Sequence, residues 1–90
     1  MDAAGRLQRA QQRIDAVSQA LKGHGITGAS VLHYPSAPRE ATVSLAAATD
    51  GTAERERLVT ALSRSGYRIR GTAIADMPAG ALRAVVGIRL

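Results

Sequence analysis

Two ten-residue stretches of this chain, from Ile26 to Pro35 and from Ile69 to Pro78, line up without a gap. Each opens on isoleucine and has glycine third (Gly28, Gly71), a β-branched residue sixth (Val31, Ile74) and proline last. The match continues into the next segment, where Ala41 and Val43 meet Ala84 and Val86. Upstream, Ala20-Leu21 resembles Ala61-Leu62, with two extra residues in the second copy. A period near half the chain length is the mark of a duplicated unit, because each copy must repeat the same local structure. The copies span about 6–48 and 52–90. Two Ala-rich hairpins can also match by composition alone, so the sequence leaves both origins open.

The local patterns give each copy one helix and two strands. Leu7, Ala10, Ile14, Val17 and Leu21 recur at steps of three and four, which predicts an amphipathic helix over Arg6–Lys22. Gly23 and Gly25 end it. Ile26–Tyr34 reads as a strand, Pro35–Pro38 as a turn, and Glu40–Ala47 alternates polar and apolar as a half-buried strand does. Asp50-Gly51-Thr52 opens a second helix, with Asp50 or Thr52 as cap and Glu54 and Glu56 favoured by the macrodipole. Leu58, Val59, Ala61, Leu62 and Ser65 form its inner face, and Gly66 stops it. Tyr67–Asp76 and Leu82–Leu90 are strands joined by a turn at Met77–Gly80. The expected fold is one α+β domain over residues 1–90, of order αββαββ. Its simplest packing is a four-stranded antiparallel sheet with both helices on one face.

Register then divides the residues between the two faces. With Ile69 opposite Ile88, the pairs Tyr67/Leu90, Gly71/Val86, Ala73/Ala84 and Ala75/Leu82 are all apolar, which marks the core face. By the repeat, Ile26, Gly28, Ser30 and Leu32 share it with Ala41, Val43, Leu45 and Ala47. The outer face is then expected to carry Val31, Ile74 and Val85 at its centre and Arg68, Arg70, Arg83 and Arg89 around them. A small apolar patch with a charged rim points to an interaction surface.

Chemistry is sparse. Cysteine is absent, which excludes disulfides, thiolate metal sites and cysteine nucleophiles. His24 lies in a helix stop, and a His33–Asp76 couple would need strands whose adjacency the sequence does not give. No phosphate-binding glycine loop or nucleophile motif occurs. The expectation is a protein that is not an enzyme and uses no cofactor or metal. No apolar run approaches the ~20 residues of a membrane span, and no leader follows Met1, so a cytoplasmic, non-membrane protein is expected.

Two functions fit. The chain has no Phe or Trp, so its core must be made of small aliphatic residues. A 90-residue domain is also marginal in the surface it buries. Self-association, as a homodimer, and binding of another protein through Val31, Ile74, Val85, Arg68, Arg70, Arg83 and Arg89 would cover what a monomer exposes. Leu7, Ile14 and Leu21 offer a second route at heptad spacing. The alternative is nucleic acid, suggested by the net charge of +5. Arg68, Arg70, Arg83, Arg89 and a helix stripe of Arg6, Arg9 and Arg13 would contact duplex phosphates. Eleven of the twelve basic residues are Arg, as in any GC-rich coding sequence, so charge alone does not choose.

Overall fold

The first helix is longer than the surface it covers. In the computed structural model, which describes residues 3–90, α1 runs over Ala3–Gly23. Its 21 residues span about 31 Å at the α-helical rise. Val17 and Leu21 are buried and Ile14 half-buried, but Leu7 is 68% exposed. The first turns therefore extend past the core. The expected heptad seam is not free as a unit, because Leu21 is spent inside the chain's own core.

Both helices end the same way. After α1, the N–H of Gly25 donates to the Lys22 carbonyl at 3.0 Å and that of Ile26 to the Leu21 carbonyl at 3.0 Å. After α2 (Thr52–Arg64), Gly66 N–H reaches the Ser63 carbonyl at 3.1 Å and Tyr67 N–H the Leu62 carbonyl at 3.0 Å. These are paired Schellman stops. Each turns on a left-handed glycine, with φ of 77° at Gly25 and 90° at Gly66. The residue after the glycine swings back toward the core, and Ile26 is only 2% exposed there. Ile26 is thus spent on the stop, and β1 shrinks to Ser30–Leu32.

The remaining strands lie close to the expectation: β2 at Glu40–Ala47, β3 at Arg68–Asp76 and β4 at Leu82–Arg89. Between β3 and β4 lies a single 3₁₀ turn, Pro78–Gly80. The four strands form one antiparallel sheet in the order β1-β2-β4-β3. Hence β2 and β3 are parallel, separated by β4 and linked by α2, a split βαβ arrangement. The core unites Val17 and Leu21 of α1, Leu58 and Leu62 of α2, and Val43, Val86 and Ile88 of the central strands. Both helices therefore cover one face of the sheet. Burying one Leu-sized side chain contributes about 2 kcal/mol, so a core this small leaves each of these residues a large share of the total stability.

Two register details correct the expected faces. Ile69 does pair with Ile88, but β3 then bulges at Arg70. Beyond it Gly71 stands opposite Gly87, Ala73 opposite Val85 and Ala75 opposite Arg83. One extra residue reverses the alternation. Ile74 therefore pairs with buried Ala84 and packs against the core instead of facing out. In β1, Val31 pairs with buried Val43, so Val31 also belongs to the helix face, while Ser30 and Leu32 lie on the outer one. The gapless correspondence of the first strands is not kept either. Ser30 stands opposite Ser44, whereas Gly87, the counterpart of Ser44, stands opposite Gly71 and not Ala73.

Candidate functional site

The uncovered side of the sheet follows from these pairings. Ser30 and Leu32 come from β1, Glu40, Thr42, Ser44 and Ala46 from β2, Arg83, Val85, Gly87 and Arg89 from β4, and Arg68, Gly71, Ala73 and Ala75 from β3. Its centre is made of small side chains because glycine, alanine, serine and threonine dominate there. Of the three apolar residues expected at this centre, the structure places Val85 on it and moves Val31 and Ile74 to the other side. Leu32, half exposed at 50%, is an apolar member that the sequence reading had assigned to the core.

The arginines settle at two ends. Arg70, at the bulge, ion-pairs with Glu40 two strands away, Nη1 to Oε2 at 3.0 Å. The Arg70 side chain crosses over Gly87 on its way to Glu40. That glycine lies on the intervening strand, and a Cβ added there would sit 3.8 Å from the Cβ of Arg70. Both ion-pair side chains are nearly half exposed, so the bond stabilises the fold by less than about 1 kcal/mol. Arg83 lies at the far end, and its Nε donates to the Ser44 hydroxyl at 3.2 Å. That contact leaves Ser44 only 8% exposed on a face otherwise open to solvent.

Arg68 and Arg89 are different. They stand directly opposite one another across β3 and β4, and both are exposed. Neither has an ion-pair partner among the described residues. Like charges opposite each other on a sheet repel. In water the cost is near 1 kcal/mol at close range, which the fold can bear. Arg39 adjoins this end too, since its carbonyl accepts the Leu90 N–H at 2.8 Å. The sequence reading missed Arg39 because it lies just outside β2. Its position before Glu40 was the available signal. The face is thus basic at both ends, more strongly at the Arg68–Arg89 end, and small and nearly neutral along its middle.

The other expected arginines do not join them. Arg6, Arg9 and Arg13 are exposed on α1, which lies on the opposite side of the sheet. The seven arginines form two separate surfaces. Nor do His33 and Asp76 meet: β1 and β3 are the two outer strands, and His33 Nε2 instead lies 3.1 Å from the Pro38 carbonyl. His24 lines a shallow groove of about 530 Å³ against α2, with Ile26, Glu56, Arg57, Thr60 and Arg64. Arg57 Nη2 reaches the Gly25 carbonyl at 3.5 Å across it. Apart from Ile26 and Ala61 its walls are solvent-exposed, so it holds no desolvated group. Among the described residues no cluster of His, Asp or Glu is arranged for a metal, and no helix is long and apolar enough to cross a membrane.

No family model, curated protein or solved structure matches this chain.

Proposed function

We propose that this protein is a non-catalytic binding module that grips an acidic protein partner across the outer face of its sheet. The observation that carries the reading is the Arg68–Arg89 pair. Two exposed arginines stand opposite one another with no ion pair of their own among the described residues, because Glu40, which faces Arg89 from β2, is taken up by Arg70. Beside them runs a strip of the small residues Thr42, Ala46, Ala73 and Val85. Guanidinium groups bind carboxylates through two parallel hydrogen bonds. The small side chains behind them let a partner's backbone approach closely. Arg70 and Arg83 are already engaged within the chain and would act as rim residues.

The test is a pull-down from source extract, followed by backbone amide NMR with the recovered partner. Binding by the parent protein, lost in Arg68→Glu/Arg89→Glu and kept in Arg9→Glu/Arg13→Glu, supports the reading. Amide shifts confined to α1 or α2 would end it.

Duplex nucleic acid is the second reading, favoured by the same unpaired arginines. The sheet face carries no aromatic residue on which bases could stack, so phosphate contact is its form. Three neutralised phosphates, at Arg39, Arg68 and Arg89, predict a slope of log affinity against log salt near −2.7. A labelled duplex that shows no anisotropy change at low salt removes it.

The duplicated αββ origin also belongs here. The matching Schellman stops support it, as does the β2–β4 ladder. A rotation that exchanges Val43 with Val86 carries the ladder onto itself, because those two residues are paired and are also repeat counterparts. Self-association and a cytoplasmic location are further parts of the reading.

A further inference from the structure

We infer that two copies of this chain join through the outer edge of β3, antiparallel, to make one eight-stranded sheet. This deepens the self-association reading and does not depend on what the outer face binds. β1, at one edge, is three residues long. β3, at the other, is nine, and among the described residues nothing pairs with its outer side. Natural sheets usually protect such an edge with charge, proline, a bulge or a covering segment. The β3 edge has its bulge and its arginines at one end only, Arg68 and Arg70. The segment from Gly71 to Ala75 carries no charge and no proline.

Charge selects both the occupant and its direction. Antiparallel pairing of β3 with itself about Ala73 sets Gly71 level with Ala75 and Thr72 level with Ile74 of the second copy. It also brings the Arg70 end of each strand level with the Asp76 end of the other. Parallel pairing would instead set arginine beside arginine. A strand edge alone falls short of the roughly 1,200 Å² that a stable interface needs, and the element beside this edge that can add to it is α2. Thr72 lies in a groove with Arg55, Glu56, Val59 and Thr60. A two-fold axis at Ala73 brings the same groove of the second copy against it. The two α2 helices then run antiparallel on either side of the seam. Arg55 of each copy approaches Glu56 of the other, and half-buried Val59 is covered.

The chain has no cysteine, so one introduced thiol reports cleanly. Light scattering at about 100 μM gives the mass, and mild oxidation of Ala73→Cys and Ala46→Cys locates the contact. The expected result is a dimer in which Ala73→Cys cross-links to more than half and Ala46→Cys does not. Thr72→Lys/Ala73→Lys should weaken association at least tenfold with an unchanged circular dichroism spectrum. Arg55→Glu should weaken it, and Arg55→Glu/Glu56→Arg should restore it. A monomer at that concentration overturns both the edge and self-association. A dimer that cross-links through Ala46→Cys and not Ala73→Cys overturns the edge alone.

Discussion

The two faces of this sheet come from the same strands and differ in nearly everything else. Val86 and Val85 are neighbours on β4, yet Val86 is fully buried beneath the helices while Val85 faces out between Ser44 and Ala73. On the helix face, side chains are chosen to fill volume: Val43, Leu45, Val86 and Ile88 interlock with Leu21, Leu58 and Leu62. The outer face instead keeps side chains short and puts its charge at the ends. Stability therefore resides on one face and is nearly indifferent to the other, which leaves the outer face free of the packing constraints of the core.

The sharpest way to break this contrast is to place one charge at each neighbour. Val86→Asp buries a carboxylate with no partner and should cost about 3–5 kcal/mol, read by denaturant unfolding. A variant within 1 kcal/mol of the parent would mean that the helices do not cover this face. Next in size is Gly51→Ala. Gly51 caps α2 at φ 82°, and a Cβ there would lie 2.9 Å from Ile74 Cδ1 and 3.3 Å from Ala47 Cβ. Left-handed backbone and crowding together should cost about 2 kcal/mol, a fall in Tm of roughly 8–16 °C for a domain this size. Ile74→Ala in the same background should return part of that loss. Additive effects of the two changes would mean that Ile74 faces out after all.

On the outer face the expected effects are small. Arg70→Ala should cost about 0.5 kcal/mol, and the cost should shrink in high salt because the Glu40 pair is solvent-screened. Val85→Asp should change stability by no more than about 0.5 kcal/mol, while abolishing capture of the partner. The smallest expected effect is a pH dependence at the start of α2. The Asp50 carboxylate accepts the Thr52 N–H at 3.0 Å, and this bond holds its pKa below the ordinary 3.8. A lowered folded-state pKa stabilises the fold above the unfolded value, and that contribution is lost as pH falls through the folded one. The stability difference between Asp50→Asn and the parent should be constant near neutrality and shrink below pH 3.8.

Much of the architecture was legible because strong local signals agree with the tertiary outcome. β2 matches its predicted bounds, since alternation is clean from Glu40 to Ala47. Both helix stops are announced by glycine. The faces were harder. From Gly71 to Ala75 every side chain is small or β-branched, so sliding the strand by one residue still produces acceptable pairs, and the pattern gives no warning of a bulge. β1 failed for a related reason. Ile26 looks like a strand residue, but its apolar side chain is needed by the helix stop. The left-handed Gly28, with φ 78°, then resets the alternation before Ser30. Transferring the face of Ile74 to Val31 by the repeat carried one error into both halves. The basic end was found in part: Arg68, Arg70 and Arg89 by alternation, but not Arg39, which lies outside any strand.

The bulge at Arg70 also has an evolutionary consequence. Ile69 and Gly71 already stand opposite the consecutive residues Ile88 and Gly87, so loss of this single residue would close the ladder without moving any other residue of β3 to a new face. Thr72 and Ile74 would stay toward the helices and Ala73 and Ala75 toward solvent, and the loss would fall on the ion pair with Glu40. Arg70 is thus a position of β3 that a three-nucleotide deletion can remove with the register intact, whereas deletion of any one residue from Thr72 to Ala75 would shift the inward and outward sets beyond it.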